Sequence, residues 1–205
     1  MVTRRVPASP VRRWRGCVLG AVAVACAVSP LRAQDGTSGE WRVNGGDSGF
    51  TRYASLDQIS ADTVHDLAIV WRRPAVDATL HTRWPDLRYS NNLRSTPVMV
   101  GGVLYASNGI GLVEAFDPAS GQTLWVQETP FLGDETPRGA PNRGVGYWED
   151  EGGAARRILS VRPPYLLAID VETGRLIEDF GDAGTVDLRV YADTPELVDY
   201  SWSSP

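Results

Sequence analysis

Short β-branched and aromatic runs in this chain are separated by glycine turns, and the pattern occurs twice. "VLYASNGIGLVEAFDPASGQTLW" (Val103 to Trp125) and "RRILSVRPPYLLAIDVETGRLIEDF" (Arg156 to Phe180) align without a gap at a shift of 53 residues. Ser107 falls on Ser160, Ala115 on Ala168, Asp117 on Asp170 and Gly121 on Gly174. Each unit predicts an apolar strand, a turn, and then a hairpin written A-x-D-x-x-[ST]-G. The strands bury one face. Asp and Gly make the tight turn, where glycine accepts a positive φ without steric cost. A repeat of about 50 residues built from short strands is the signature of a propeller blade. Trp125 follows the first hairpin and is expected to pack between neighbouring blades. In the second unit Glu178 takes that place, with Phe180 nearby, so the motif is degenerate there.

The segment upstream reads differently. "NGGDSG" is a turn. "SADTVHDL" predicts a short helix with Ser60 as N-cap, Asp62 in the first turn, and Val64 and Leu67 on one face. "LAIVWRR" predicts a strand of the kind that closes a ring of blades against the last one, which removes an exposed edge. The expected fold class is therefore all-β: an incomplete β-propeller, the first blades of a larger ring, after an N-terminal signal peptide. Two blades cannot close a ring, and the sequence stops at "DYSWSSP". The reading is an N-terminal fragment, and an open pair of blades is expected to expose an apolar face.

The leader changes the charge. Residues 1–33 hold Arg4, Arg5, Arg12, Arg13, Arg15 and Arg32 and no acid, around the apolar run "CVLGAVAVACAVSPL". A basic start, a short apolar centre and a small residue at the exit describe a secretory signal peptide, with cleavage expected after Ala33. A lipid-attachment reading at Cys26 is weaker, because no leucine stands three residues before it. The whole chain carries 20 basic and 25 acidic side chains; losing six arginines leaves 14 against 25, a net charge of −11. So acidic a surface excludes nucleic acid as an expected partner. Cys17 and Cys26, the only two cysteines, leave with the leader, so residues 34–205 cannot form a disulfide or a thiolate metal site.

The candidate chemistry centres on "APNRGVGYW" (Ala140 to Trp148). An arginine beside a strand either covers an edge, or pairs with an acid such as Glu149 or Asp150, or grips an anion. His65 and His81 are isolated and read as surface or packing residues. "WEDEGG" reads as a solvated hairpin turn. Asp134, Glu135 and Asp182 have no calcium-binding spacing.

Taken in order, "GGDSGFTRYASLDQI", "STPVMVGGVLYAS", "VEAFDPASGQTLW", "NRGVGYW", "AIDVETG", "FGDAGTVDL" and "YSWSSP" resemble the N-terminal part of the pyrroloquinoline-quinone (PQQ)-dependent dehydrogenases. These are periplasmic eight-bladed propellers that oxidise alcohols or sugars. The resemblance covers residues 40–205, and the end of the chain looks closest to the glucose-dehydrogenase-like branches. It implies a polycarboxylate ortho-quinone on the propeller axis, with Ca²⁺ bound to it. Hydride passes from substrate to quinone, an aspartate takes the hydroxyl proton, and electrons go on to a cytochrome or to ubiquinone. Arg143 matches the family arginine that donates to the quinone oxygens. Ser203 falls where the family has a cofactor-bonding hydroxyl.

This chain departs from the family at two places. Where the family carries a cofactor-binding acid, it has Arg94, which either meets a cofactor carboxylate or marks a site that no longer binds the quinone in the usual way. Where many members have adjacent cysteines it has Pro137 and Arg138. The calcium ligands and catalytic aspartate are expected beyond residue 205, so the fragment alone is expected to be inactive. The competing expectation is a non-catalytic propeller scaffold of the outer-membrane assembly lipoprotein type. "GGDSGFTRYASL" and "NRGVGYW" favour the enzyme.

Overall fold

The computed structural model describes residues 39–89, 93–129, 143–191 and 193. The signal peptide assigned to residues 1–33, and Ser203, Asp134, Glu135, Pro137 and Arg138, lie outside the described residues.

Each repeat folds as an antiparallel meander. The first sheet has the order β1-β2-β3-β4 and the second β5-β6-β7-β8, each four-stranded. The strands are β1 (Val98–Val100), β2 (Val103–Ser107), β3 (Val113–Phe116), β4 (Thr123–Val126), β5 (Gly146–Glu149), β6 (Arg156–Arg162), β7 (Tyr165–Asp170) and β8 (Thr185–Asp187). One short helix, α1 (Ala78–Arg83), precedes them. Among the described residues the chain is thus all-β apart from α1 and two 3₁₀ turns, and each sheet has the strand order of a propeller blade.

The two hairpin turns close by the same local chemistry. The Asp117 carboxylate accepts Ser120 N–H at 2.7 Å and Ser120 Oγ–H at 2.7 Å. Asp170 does the same for Thr173, at 2.9 and 2.7 Å. Gly121 and Gly174 follow at φ +71° and +73°. At each glycine an indole lies where a side chain would go. A Cβ on Gly121 would sit 2.6 Å from the Trp71 ring, and one on Gly174 would sit 2.6 Å from the Trp125 ring. Trp71 Nε1–H donates to Pro118 O at 2.9 Å, and Trp125 Nε1–H to Val171 O at 3.0 Å. Trp125 thus binds the first sheet to the second, as its position in the repeat suggested. Trp71 repeats the contact one unit earlier. Gly174→Ala should destabilise by about 2 kcal/mol, because it adds left-handed strain to displacement of the ring. Urea denaturation checks this, and a loss under about 0.5 kcal/mol would show that the indole has room to move.

A shared core joins the sheets. Val98, Val100, Tyr105, Val113 and Ala115 of the first pack with Val145, Ile158, Leu167, Ile169 and Val171 of the second. All four residues of β3 are buried. Val113 and Ala115 belong to this core, whereas Glu114 and Phe116 meet the chain at residues 71–77. Trp71 stands edge-on to Phe116, with ring centroids 6.0 Å apart, and the Arg73 guanidinium lies 4.3 Å from the same ring. A second apolar cluster of Val76, Leu80, Trp84, Leu87, Ile110 and Leu112 holds α1 against the β2–β3 loop.

The helix expected upstream needs correction. Residues 60–67 form only a 3₁₀ turn, Val64–Asp66, with no buried residue. Ser60 supports it by accepting Asp62 N–H at 3.2 Å, but the N-cap position is Thr63. With no face to bury, there is nothing to lengthen the helix. Residues 67–73 form no strand, and Leu67, Ile69 and Val70 are 61%, 69% and 80% exposed, without a pairing partner among the described residues. The second sheet is degenerate, as Glu178 indicated. After an isolated bridge at Leu176 the chain turns away and returns as β8, where Val186 pairs with Leu166.

Candidate functional site

The first strands of the two sheets approach each other through the segments that lead into them. Thr96 and Gly144 form a parallel bridge, and Thr96 N–H donates to Arg143 O at 2.8 Å. The segment before β1 is fixed in turn by Ser95, whose Oγ accepts Ser107 N–H at 2.9 Å. The segment before β5 is fixed by Val145, which is 1% exposed in the shared core. Arg94 and Arg143, far apart in sequence, therefore stand on adjacent, hydrogen-bonded backbone, and both are exposed. Ser203 cannot be placed, since it lies outside the described residues.

Neither acid proposed as a partner for Arg143 holds it. Glu149 sits at the other end of β5, about 20 Å along an extended chain. One of its carboxylate oxygens is taken by Arg42 and the other by Tyr147 Oη–H at 2.7 Å. Asp150 accepts Ala155 N–H at 3.1 Å inside the β5–β6 turn, so "WEDEGG" is the hairpin turn expected of it. Among the described residues, no hydrogen bond or ion pair engages the Arg143 guanidinium.

A third arginine stands at the same end, and the sequence reading did not single it out. β5 and β6 pair Gly146 with Leu159, and continuing that register sets Arg162 across from Arg143. Arg162 is half-buried, burial lowers its pKa, and it donates to Ile110 O of the first sheet at 3.5 Å. The available signal was a charge at the end of β6, where the repeat shift places Gly109 in the first unit. Asp187, the acid paired with Tyr165 at that end, is held by Arg189 at 2.7 Å. The Arg189 side chain and its backbone N–H keep that carboxyl below the usual range.

The opposite end of the inner strands carries a different cluster. Arg42 bridges Glu40 and Glu149, and Gly101 N–H donates to Glu40 at 2.9 Å. The Tyr147 hydroxyl, then Arg42, hold the Glu149 carboxyl low. Burial and that same bond to Glu149 push the Tyr147 phenol up. This end ties residues 40–42 to β1 and β5, with Trp41 and Met99 exchanging backbone bonds of 2.8 Å.

Neither histidine joins a site. His65 lies beside Asp66 on the surface, and His81 stacks edge-on against Tyr89. Among the described residues no group of three His, Cys, Asp or Glu side chains could hold a metal ion, so none is assigned to calcium. The arrangement offers fixed positive charge on rigid backbone, which suits an anionic group or an oxygen that gains negative charge.

Comparison with known proteins gives this geometry a context. The family profile for the β-propeller domain of PQQ-type glucose/ethanol/alcohol dehydrogenases matches residues 41–205. The quinoprotein glucose dehydrogenase of Escherichia coli is 31% identical over 80% of this chain and 21% of its own length. The 1-butanol dehydrogenase (cytochrome c) of Thauera butanivorans is 32% identical over 68% of this chain and 18% of its own. Among solved structures, a quinohemoprotein alcohol dehydrogenase of Pseudomonas putida superposes with a TM-score of 0.52 at 26% identity. That match covers 73% of this chain and 19% of the other. The chain spans about a fifth of the length of the curated relatives it matches.

Proposed function

Since this chain belongs to the β-propeller family of PQQ-dependent glucose, ethanol and alcohol dehydrogenases, we propose that it supplies the first blades of a secreted dehydrogenase that oxidises a sugar or an alcohol. Arg143 is its quinone-facing cation. The observation that carries this reading is the placing of Arg143: exposed, tied to the neighbouring sheet through its carbonyl at 2.8 Å, with no acid holding its guanidinium among the described residues. When bound, a quinone would supply the hydride acceptor for a CH–OH group. Arg143 would hold it with a preorganised positive charge, and its planar fork stays charged throughout. Gly144 is buried and leaves the backbone close to its neighbour without a side chain between. Ser203 is proposed as a hydroxyl contact of the same group. The arginine-rich leader supports export to the periplasm, and relatives of the cytochrome-linked type support a cytochrome c or ubiquinone as electron acceptor.

The test is reconstitution of the protein that carries this chain with quinone and Ca²⁺, followed by dye reduction over a set of sugars and alcohols. Quinone-dependent turnover is expected. No dye reduction, together with no spectral shift on cofactor titration, overturns the reading. In the same protein Arg143→Ala should cut turnover about 100-fold, in the range found when one oxyanion donor is removed. Wild-type turnover and affinity would show Arg143 to be an edge charge only.

A further inference from the structure

One face of the second sheet packs on the first sheet, and the repeat shows what its other face is built to meet. Ala115 of the first sheet pairs with Tyr105, and its counterpart Ala168 pairs with Leu159. Two positions before Tyr105 and Leu159, Val103 pairs with Val100 and Arg157 with Trp148. Val100 and Val103 pack into the core that the first sheet shares with the second. Trp148 and Arg157 stand on the opposite face from Tyr147 and Ile158, which join that core, because neighbours along a strand alternate sides. Trp148 is accordingly 42% exposed.

Arg157 gives this far face a chemistry that the first interface lacks. Its guanidinium lies 4.2 Å from the Trp148 ring centroid and 5.9 Å from that of Phe180. Stacking uses the flat side of a guanidinium and leaves its N–H groups pointing outward in the plane. Nε is buried without a hydrogen-bond partner, and among the described residues no acid pairs with the side chain. Asp170, directly across on β7, accepts the Glu172 and Thr173 N–H groups and the Thr173 hydroxyl of its own turn instead. An apolar neighbour like the one that covers Val100 would leave the Arg157 donors unpaired in a dry place, which is costly.

We infer that the far face of the second sheet docks a third sheet of the same ring, and that this neighbour presents a carboxylate that takes the in-plane N–H groups of Arg157. Such a fork-to-carboxylate contact satisfies the orphan donor and fixes the register of the docking sheet. Twice already the chain lays one unit on the face of the next. Residues 71–77 meet the first sheet at Glu114 and Phe116, and the first sheet meets the second through the shared core. The chain spans about a fifth of the length of its relatives, which leaves further blades to supply the neighbour. This docking depends on the propeller fold and is independent of the quinone.

Zero-length coupling in the whole protein that carries this chain tests the docking. Residues 1–205 contain no lysine, so Arg157→Lys places a single side-chain amine among them, beside the expected carboxylate. Carbodiimide treatment should join that amine, with loss of one water, to an Asp or Glu beyond residue 205, and peptide mass spectrometry identifies the acid. In a second arm, Arg157→Met should lower the thermal midpoint in the wild-type background and lose most of that effect once the mapped acid is replaced by its amide. No coupling, or coupling only to an acid within residues 1–205 of the same molecule, overturns the inference. Coupling between two protein molecules overturns it as well and makes a second copy the occupant. Equal drops in thermal midpoint in both backgrounds show that Arg157 only covers the rings, and overturn the carboxylate. No cofactor enters either arm, so failure of the quinone reading leaves both results intact.

Discussion

Trp125→Ala is expected to lower stability by about 3 kcal/mol and to loosen the second sheet from the first. Its indole lies over Gly174, tilts against Tyr105 with ring centroids 5.9 Å apart, and donates to Val171 O at 3.0 Å. Truncation removes the ring's buried area, leaves a cavity and deletes one hydrogen bond. The figure sits at the low end for tryptophan truncation because the side chain is only partly buried. Trp125→Phe keeps most of the ring and loses the N–H, so about 1 kcal/mol is expected. Urea denaturation followed by circular dichroism gives both values. A change below 0.5 kcal/mol for the alanine variant would mean that the apolar core alone holds the sheets together.

Glu114→Ala should cost about 3–5 kcal/mol, the range found when one partner of a buried ion pair is removed. Glu114 is 4% exposed. It pairs with Arg73 and accepts Asn108 Nδ2–H at 2.8 Å and Asp77 N–H at 3.2 Å. Without it, a partly buried guanidinium and two donors lose their acceptor. The pair also has a pH signature. Burial raises the Glu114 pKa above its ordinary 4.5, more than Asn108 and Arg73 lower it. The folded state then binds the proton more tightly than the unfolded chain. Glu114's contribution is full below the unfolded value and is lost as pH rises through the raised one. The stability difference between wild type and Glu114→Gln should therefore be largest at acid pH and shrink toward neutrality. A difference that grows with pH would show that pairing with Arg73 outweighs burial.

Asp117 and Asp170 show which parts of the fold were legible in the sequence. Each closes its turn through bonds within three residues of itself, so the repeat could be read directly as paired hairpins. The repeat also fixed the place of Trp125. The equivalent role of Trp71 was missed, because its contact with Pro118 spans 47 residues and its own segment forms no strand. Helix α1 was also missed, although Asp77 as N-cap, accepting Thr79 N–H at 2.9 Å, gave a local signal. Its apolar residues Leu80 and Trp84 have meaning only once Ile110 and Leu112 are beside them.

The site divides in the same way. Arg143 could be singled out from "NRGVGYW", and Arg94 from its unexpected charge. That the two stand on neighbouring backbone could not be read from spacing, since the bond between Thr96 and Arg143 is formed only when the segments before β1 and β5 converge. For Arg162 the sequence offered only a charge where the first repeat has Gly109; the half-burial of its guanidinium depends on the neighbouring sheet.

By itself, then, the sequence determined the hairpins, the all-β repeat and the family, because turn geometry and alternation are set by residues a few positions apart. Tertiary structure alone decided which tryptophan meets which glycine, which acid neutralises which arginine, and that Arg94, Arg143 and Arg162 stand at one end of the sheets. Those pairings follow from burial and from long-range strand convergence, and no local pattern of residues encodes either.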